Sequence, residues 1–260
     1  MTSPFSNKAL EADWSKIVTV EVGGMQPEFG SQTVAIDYTA TRTFFVYEDL
    51  FRAQSPFFEA ALGRDFIEAK DRVVKLPEHT PDAFDVYLRW ANSYQIFVPG
   101  MEGRSCHSDD EKNTQHEIMI FSLFCRAYVL GDVLQDSDFK DALIDAFIEE
   151  VALREGWPTK EARYVYENTM RDAPMRHVLA AMAATGCLGE FDQEIRGDDF
   201  CNESAREFGN IDFFCDVLKI ADQMLSKTTG TIAWHEETCR FHEHKSGPCY
   251  SIRAGIEIDE

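Results

Sequence analysis

The chain has 260 residues, enough for one large domain or two small ones, with roughly 70–75% of the unfolded surface buried on folding. Its 46 acidic against 25 basic residues give a net charge of −21. That field repels phosphate backbones and anionic membranes, which argues against binding nucleic acid or docking on a membrane; it keeps a soluble protein apart from its neighbours or, alternatively, offers a docking face to a basic partner.

Residues 1–13 are polar, with no apolar core of signal-peptide length, and no run in the chain approaches the ~20 apolar residues of a membrane span. In Ile17–Val22, Val18, Val20 and Val22 alternate with Thr19 and Glu21, the period of a half-buried strand, and Gly23-Gly24 ends it. Gln32–Tyr38 alternates again through Val34, Ile36 and Tyr38, and Thr43–Val46 predicts a further short strand. Glu48–Ala53 reads as a short helix with Leu50 and Phe51 as its apolar residues. Ser55-Pro56 starts a new helix: the serine is its N-cap, and proline takes the first position, where a missing N–H costs nothing. Phe57, Phe58, Ala61 and Leu62 form its buried stripe, and Gly63 stops it. Val73, Val74 and Leu76 make a strand that Pro77 ends.

Thr80-Pro81-Asp82 repeats the helix-start logic, and Phe84, Tyr87, Leu88 and Ala91 follow at i, i+3, i+4 and i+7. Tyr94–Val98 reads as a brief edge strand, with Phe97 and Val98 as exposed contact candidates. Pro99–Gln115 has no periodicity and reads as an inserted surface loop. Ile118–Leu130 is apolar almost all round, the mark of a helix enclosed by protein. Asp136-Ser137-Asp138 caps another helix, with Phe139, Ala142, Leu143, Ala146, Phe147 and Val151 inward. Helical patterning continues from Thr159 to about Asn168 and again in Ile211–Leu225, where Phe214, Val217, Leu218 and Ala221 are expected to point inward. Arg196–Asn210 between them is polar and irregular.

From Phe45 to Leu76 the chain resembles the BTB/POZ domain, most of all its fungal branch. The resemblance is carried by Leu50, Ser55, Phe58, Phe66, Glu68 and Leu76. Tyr47 stands where many members carry histidine, and Trp14-Ser15-Lys16 where an aspartate is usual. The resemblance implies an α+β fold over residues 14–152, a small sheet capped by helices, with 99–116 as an inserted loop. A flexible N-terminus (1–13) precedes it. An all-helical extension (153–230) and a Cys/His-containing tail (231–260) follow. It also implies a protein–protein interaction module and no enzyme: an adaptor that self-associates or recruits a cullin-type ubiquitin ligase. Carried onto this chain, the contact surface involves Tyr94, Ile96 and Phe97, with Asp132 to Phe139.

Seven cysteines, an odd number scattered along the chain, suit a reducing compartment, cytoplasm or nucleus, better than a disulfide framework. One cluster has metal-ligand chemistry: Cys239-x2-His242-x-His244-x4-Cys249, with His235 as an alternative ligand. Two cysteines and two histidines can complete a zinc tetrahedron, and an extended segment projects His242 and His244 to the same side. The spacing is not that of the common zinc fingers. The other reading is reduced cysteines and surface histidines around a C-terminal hairpin or turn. A similar Cys-x-x-His-x-His tail belongs to the fungal BTB resemblance. The chain carries no P-loop, no Gly-x-Ser-x-Gly and no His-Glu-x-x-His, and no cofactor other than zinc is expected. Cys125 and Cys215 read as core packing. The acidic pairs Asp109-Asp110, Glu149-Glu150 and Asp198-Asp199 read as solvated faces.

Overall fold

The computed structural model describes residues 13–25, 39–63, 66–100, 111–154, 161–187, 210–226, 238–244 and 248–254. The expected strand Gln32–Tyr38, the Thr159 cap, His235, Asp109-Asp110 and Asp198-Asp199 lie outside them. The architecture is mixed α+β, mostly helical, with one three-stranded sheet.

β1 (Ile17–Gly23) is the middle strand, antiparallel to β2 (Thr41–Tyr47) and parallel to β3 (Val73–Leu76). The register sets Val18 against Val46, Val20 between Phe44 and Val74, and Val22 beside Leu76, so these alternate residues share one buried face. The other face keeps its apolar residues in solvent. Phe45 is 71% exposed, because the strand's two-residue period turns it away from the buried Phe44 and Val46. Gly23 has φ +90°, and a β-carbon there would collide with the carbonyl oxygen of Ala40, so the turn tolerates only glycine.

Between β2 and β3 run α1 (Glu48–Gln54), α2 (Pro56–Gly63) and α3 (Ile67–Asp71). The Ser55 hydroxyl accepts from the Phe58 N–H at 3.3 Å, as the N-cap requires, and donates to the Leu134 carbonyl at 2.6 Å. α3 was not expected. Its Phe66 neighbour is 49% exposed and takes no part in the core. α4 (Pro81–Ser93) is capped by Thr80, whose side chain accepts from the Ala83 N–H. It buries Phe84, Tyr87 and Trp90. Phe51 sits against Phe58, Phe84 and Tyr87, with ring centroids 5.2 to 6.2 Å apart. Each ring fully removed from water contributes ~1.5–3 kcal/mol. Leu50 and Leu88, half-buried, pack against the same interior as Phe58.

Tyr94–Val98 forms no strand. Tyr94 takes a left-handed conformation (φ 56°) that ends α4, its N–H donating to the Trp90 carbonyl, and Val98 is buried rather than exposed. α5 (Glu111–Leu134) begins inside the stretch expected to be loop, and every residue from Ile120 to Gly131 is buried. α6 (Ser137–Arg154) starts at Asp136, whose side chain accepts from the Phe139 N–H at 3.0 Å. α5 and α6 cross at Gly131, where an added β-carbon would meet Phe139 and Lys140 side-chain carbons at 2.9 Å.

α7 (Ala162–Asn168), α8 (Pro174–Cys187) and α9 (Ile211–Ser226) continue the same apolar interior. α9 turns Phe213, Val217 and Met224 inward and leaves Leu218 68% exposed, against expectation. Cys215 is exposed as well, while Cys125 is fully buried, as expected of core packing. Glu150, expected in solvent, is buried. A 3-10 turn (Thr238–Phe241) and α10 (Tyr250–Ala254) lay the tail against α6 and α8. Among the described residues, no helix is long and apolar enough to cross a membrane.

Candidate metal centre

The tail is built to bring four ligand atoms together. In the 3-10 turn Phe241 points inward and is buried, while Cys239 faces out. The His242 N–H donates to the Cys239 carbonyl at 3.2 Å, folding the two residues onto one another. Cys249 returns at the foot of α10 and is buried. The donor atoms of Cys239, His242, His244 and Cys249 all lie within 4.8 Å of one another, so the cluster could hold a metal ion. His242 Nδ1 stands 3.3 Å from His244 Nε2 and 3.5 Å from Cys249 Sγ. A zinc tetrahedron with ordinary Zn–N and Zn–S bonds has edges of ~3.3 Å (N–N) and ~3.6 Å (N–S). Two edges of that figure are therefore already present.

α6 holds the cluster from behind. Asp141 and Asp145 are one helical turn apart and present their carboxylates to the tail. His242 Nε2 donates to Asp145 Oδ1 at 2.8 Å, which fixes the ring orientation and turns Nδ1 toward the other ligands. The Tyr250 hydroxyl donates to the second Asp145 oxygen at 2.8 Å. The Glu243 N–H donates to Asp141 Oδ1 at 2.8 Å, and Lys140 Nζ donates to both Glu243 (2.6 Å) and Asp132 (2.8 Å). Tyr250 also packs its ring 5.9 Å from Trp90.

The electrostatics suit a cation. Burial alone would lower the His242 imidazole, but the hydrogen bond and charge of Asp145 raise it to about 8. Burial and the neighbouring Cys249 push the Cys239 thiol up to about 11. Burial also raises Cys249, yet hydrogen bonding from Ser251 and the adjacent His242 bring it below the ordinary thiol value. Burial lifts Asp141 to about 7. A divalent ion bound there would displace the thiol protons and neutralise two thiolates.

All four expected ligands thus meet. Asp145, Asp141, Lys140 and Tyr250 carry no local signal that points to the tail, since their contacts span about a hundred residues of sequence. The expected contact set is dispersed in character. Phe97 is 40% exposed, Tyr94 and Ile96 are half-buried, and Asp132 is held by Lys140. Phe139 is fully buried between Tyr87 and Trp90 and has no surface to offer, because the Asp136 cap turns it under α4. A separate open groove of about 650 Å³ between α8 and α9 is lined by Arg171, His177, Asp212, Cys215, Lys219 and Arg240. Arg171 pairs with Asp212 there at 3.5 Å. Comparison with known proteins finds no matching family model, no significantly similar curated protein and no significantly similar solved structure.

Proposed function

We propose that the chain is a protein–protein interaction module of the BTB/POZ type, an adaptor that either self-associates or recruits a cullin-type ubiquitin ligase. The observation that carries the reading is the convergence of Leu50, Ser55, Phe58 and Leu76 on one interior, between the sheet and the α5–α6 hairpin. Exposed apolar side chains on the open side of the sheet, Ile17, Phe45 and Tyr47, with Phe97 beyond α4, support a surface made for other proteins. Purified chain is expected to bind a cullin N-terminal region at micromolar concentration, with Phe97→Glu weakening it at least tenfold, or to run as a dimer in light scattering. A mass of one chain together with no cullin binding removes both partners.

A second reading concerns the same molecule: the tail holds structural zinc, with Cys239, His242, His244 and Cys249 as ligands. The two tetrahedral edges and the Asp145–His242 hydrogen bond favour it. Zinc would close the tail and cross-link it through Asp145 to α6. Protein purified without chelators is expected to carry one zinc per chain and Cys239→Ala none. Asp145→Asn should weaken the metal roughly 10–100-fold, as loss of a ligand's hydrogen-bond partner does elsewhere. A metal-free wild type sinks this reading and leaves the first untouched.

A further inference from the structure

We propose that Cys239 and Cys249 are an oxidant-sensitive pair: hydrogen peroxide joins them as a disulfide, expels the metal and frees the tail from α6. The proposal rests on the zinc reading above and assigns its regulation. Both sulfurs belong to a donor set within 4.8 Å. Reaching the disulfide length of ~2 Å takes a further approach of no more than about 2.8 Å, within the sweep of side-chain rotations. The two thiols differ in access. Cys239 is exposed, whereas Cys249 is 7% exposed, its Sγ 3.5 Å from His242 Nδ1. Peroxide therefore meets Cys239 first, and Cys249 is the resolving partner.

The chemistry balances without any further reactant. The Cys239 thiolate attacks one peroxide oxygen; the S–O bond forms as the O–O bond breaks, and hydroxide departs. The Cys249 thiolate then attacks the Cys239 sulfur; the S–S bond forms, the S–O bond breaks, and a second hydroxide departs. The thiolates lose two electrons, peroxide is reduced to two hydroxides, and these offset the charge of the released divalent ion. Only His242 and His244 remain as ligands, too few to retain zinc.

The consequence reaches the face proposed for partners. Glu243 shares Lys140 with Asp132, and Tyr250 lies against Trp90, whose ring touches that of Tyr94 at 5.3 Å. Releasing the tail frees Lys140 and uncovers Trp90 beside Tyr94.

The test uses the full chain after metal analysis has shown one zinc per molecule. Hydrogen peroxide is added in the presence of a chromogenic zinc chelator. The expected result is release of that zinc, a mass loss of two hydrogens, and a peptide linking Cys239 to Cys249. Dithiothreitol should reverse all three. Amide exchange should rise in 238–254 and around Trp90–Tyr94. Cys215→Ser should change nothing, and Cys239→Ser should abolish the cross-link. Zinc retained through thiol oxidation, or released without the 239–249 bond, overturns the inference alone. A wild type that binds no zinc before oxidant is added overturns the metal reading and this inference with it.

Discussion

Asp136 shows how much one side chain carries here. It caps α6, accepts from the Tyr87 hydroxyl at 3.3 Å, and is almost fully enclosed. Burial raises its carboxyl from the ordinary aspartate value near 3.8 to about 6, against the opposing hydrogen bond from Phe139. A carboxyl whose folded value is raised binds its proton more tightly in the folded chain. Its contribution is therefore favourable below pH ~4 and is lost as pH climbs to about 6, a change on the order of 3 kcal/mol. Asp136→Asn keeps the cap and removes the titration. Urea denaturation should find the variant gaining on wild type by about 1 kcal/mol between pH 5 and pH 7.5, as the linkage requires. A constant difference across that range would mean that Asp136 stays ionised throughout. The cap itself was legible from Asp136-Ser137-Asp138, because capping is local; the hydrogen bond from Tyr87, 49 residues away, was not.

At the scale of elements, Ser55 ties two helices at once. It caps α2 and also satisfies the Leu134 carbonyl, one of the acceptors left open at the end of α5. An ordinary N-cap loss costs ~1 kcal/mol, but Ser55→Ala also strands a buried acceptor. The expected destabilisation is about 2–3 kcal/mol by chemical denaturation. A loss below 1 kcal/mol would show that the bond to Leu134 contributes nothing. α9 illustrates the limit of periodicity. It is apolar on two sides, with Ile211, Leu218 and Leu225 exposed at i, i+7 and i+14 and Phe213, Val217 and Met224 buried. Spacing identifies the helix, but only its packing against α7 and α8 selects which stripe faces inward. The Tyr94–Val98 segment has the composition of a strand and, among the described residues, no strand to pair with, since the α4 terminus turns it off by a left-handed residue.

For the whole molecule, charge and core work against each other. A net charge of −21 repels itself in the compact state, whereas exposed pairs such as Arg89–Asp85 at 2.8 Å contribute ~0–1 kcal/mol each. Salt screens both, and with 46 acidic against 25 basic residues the like-charge repulsion is expected to dominate. At constant pH and zinc, raising sodium chloride from about 20 to 500 mM should therefore raise the melting temperature. A fall over that range would mean that specific ion pairs outweigh the net field.

The amino-acid order alone determined the alternation of β1, β2 and β3, the Ser55, Thr80 and Asp136 caps, the enclosed run from Ile120 to Leu130 and the four-member Cys/His set. All of these depend on residues within about one turn of each other or on a single short segment. The tertiary structure decided that α6 would supply Asp145 to His242 and Lys140 to Glu243, that Phe139 would be covered and Leu218 left bare, and that Tyr250 would come to rest on Trp90. Those choices are made when packed faces meet across long loops of chain, and no local pattern encodes which distant face will arrive.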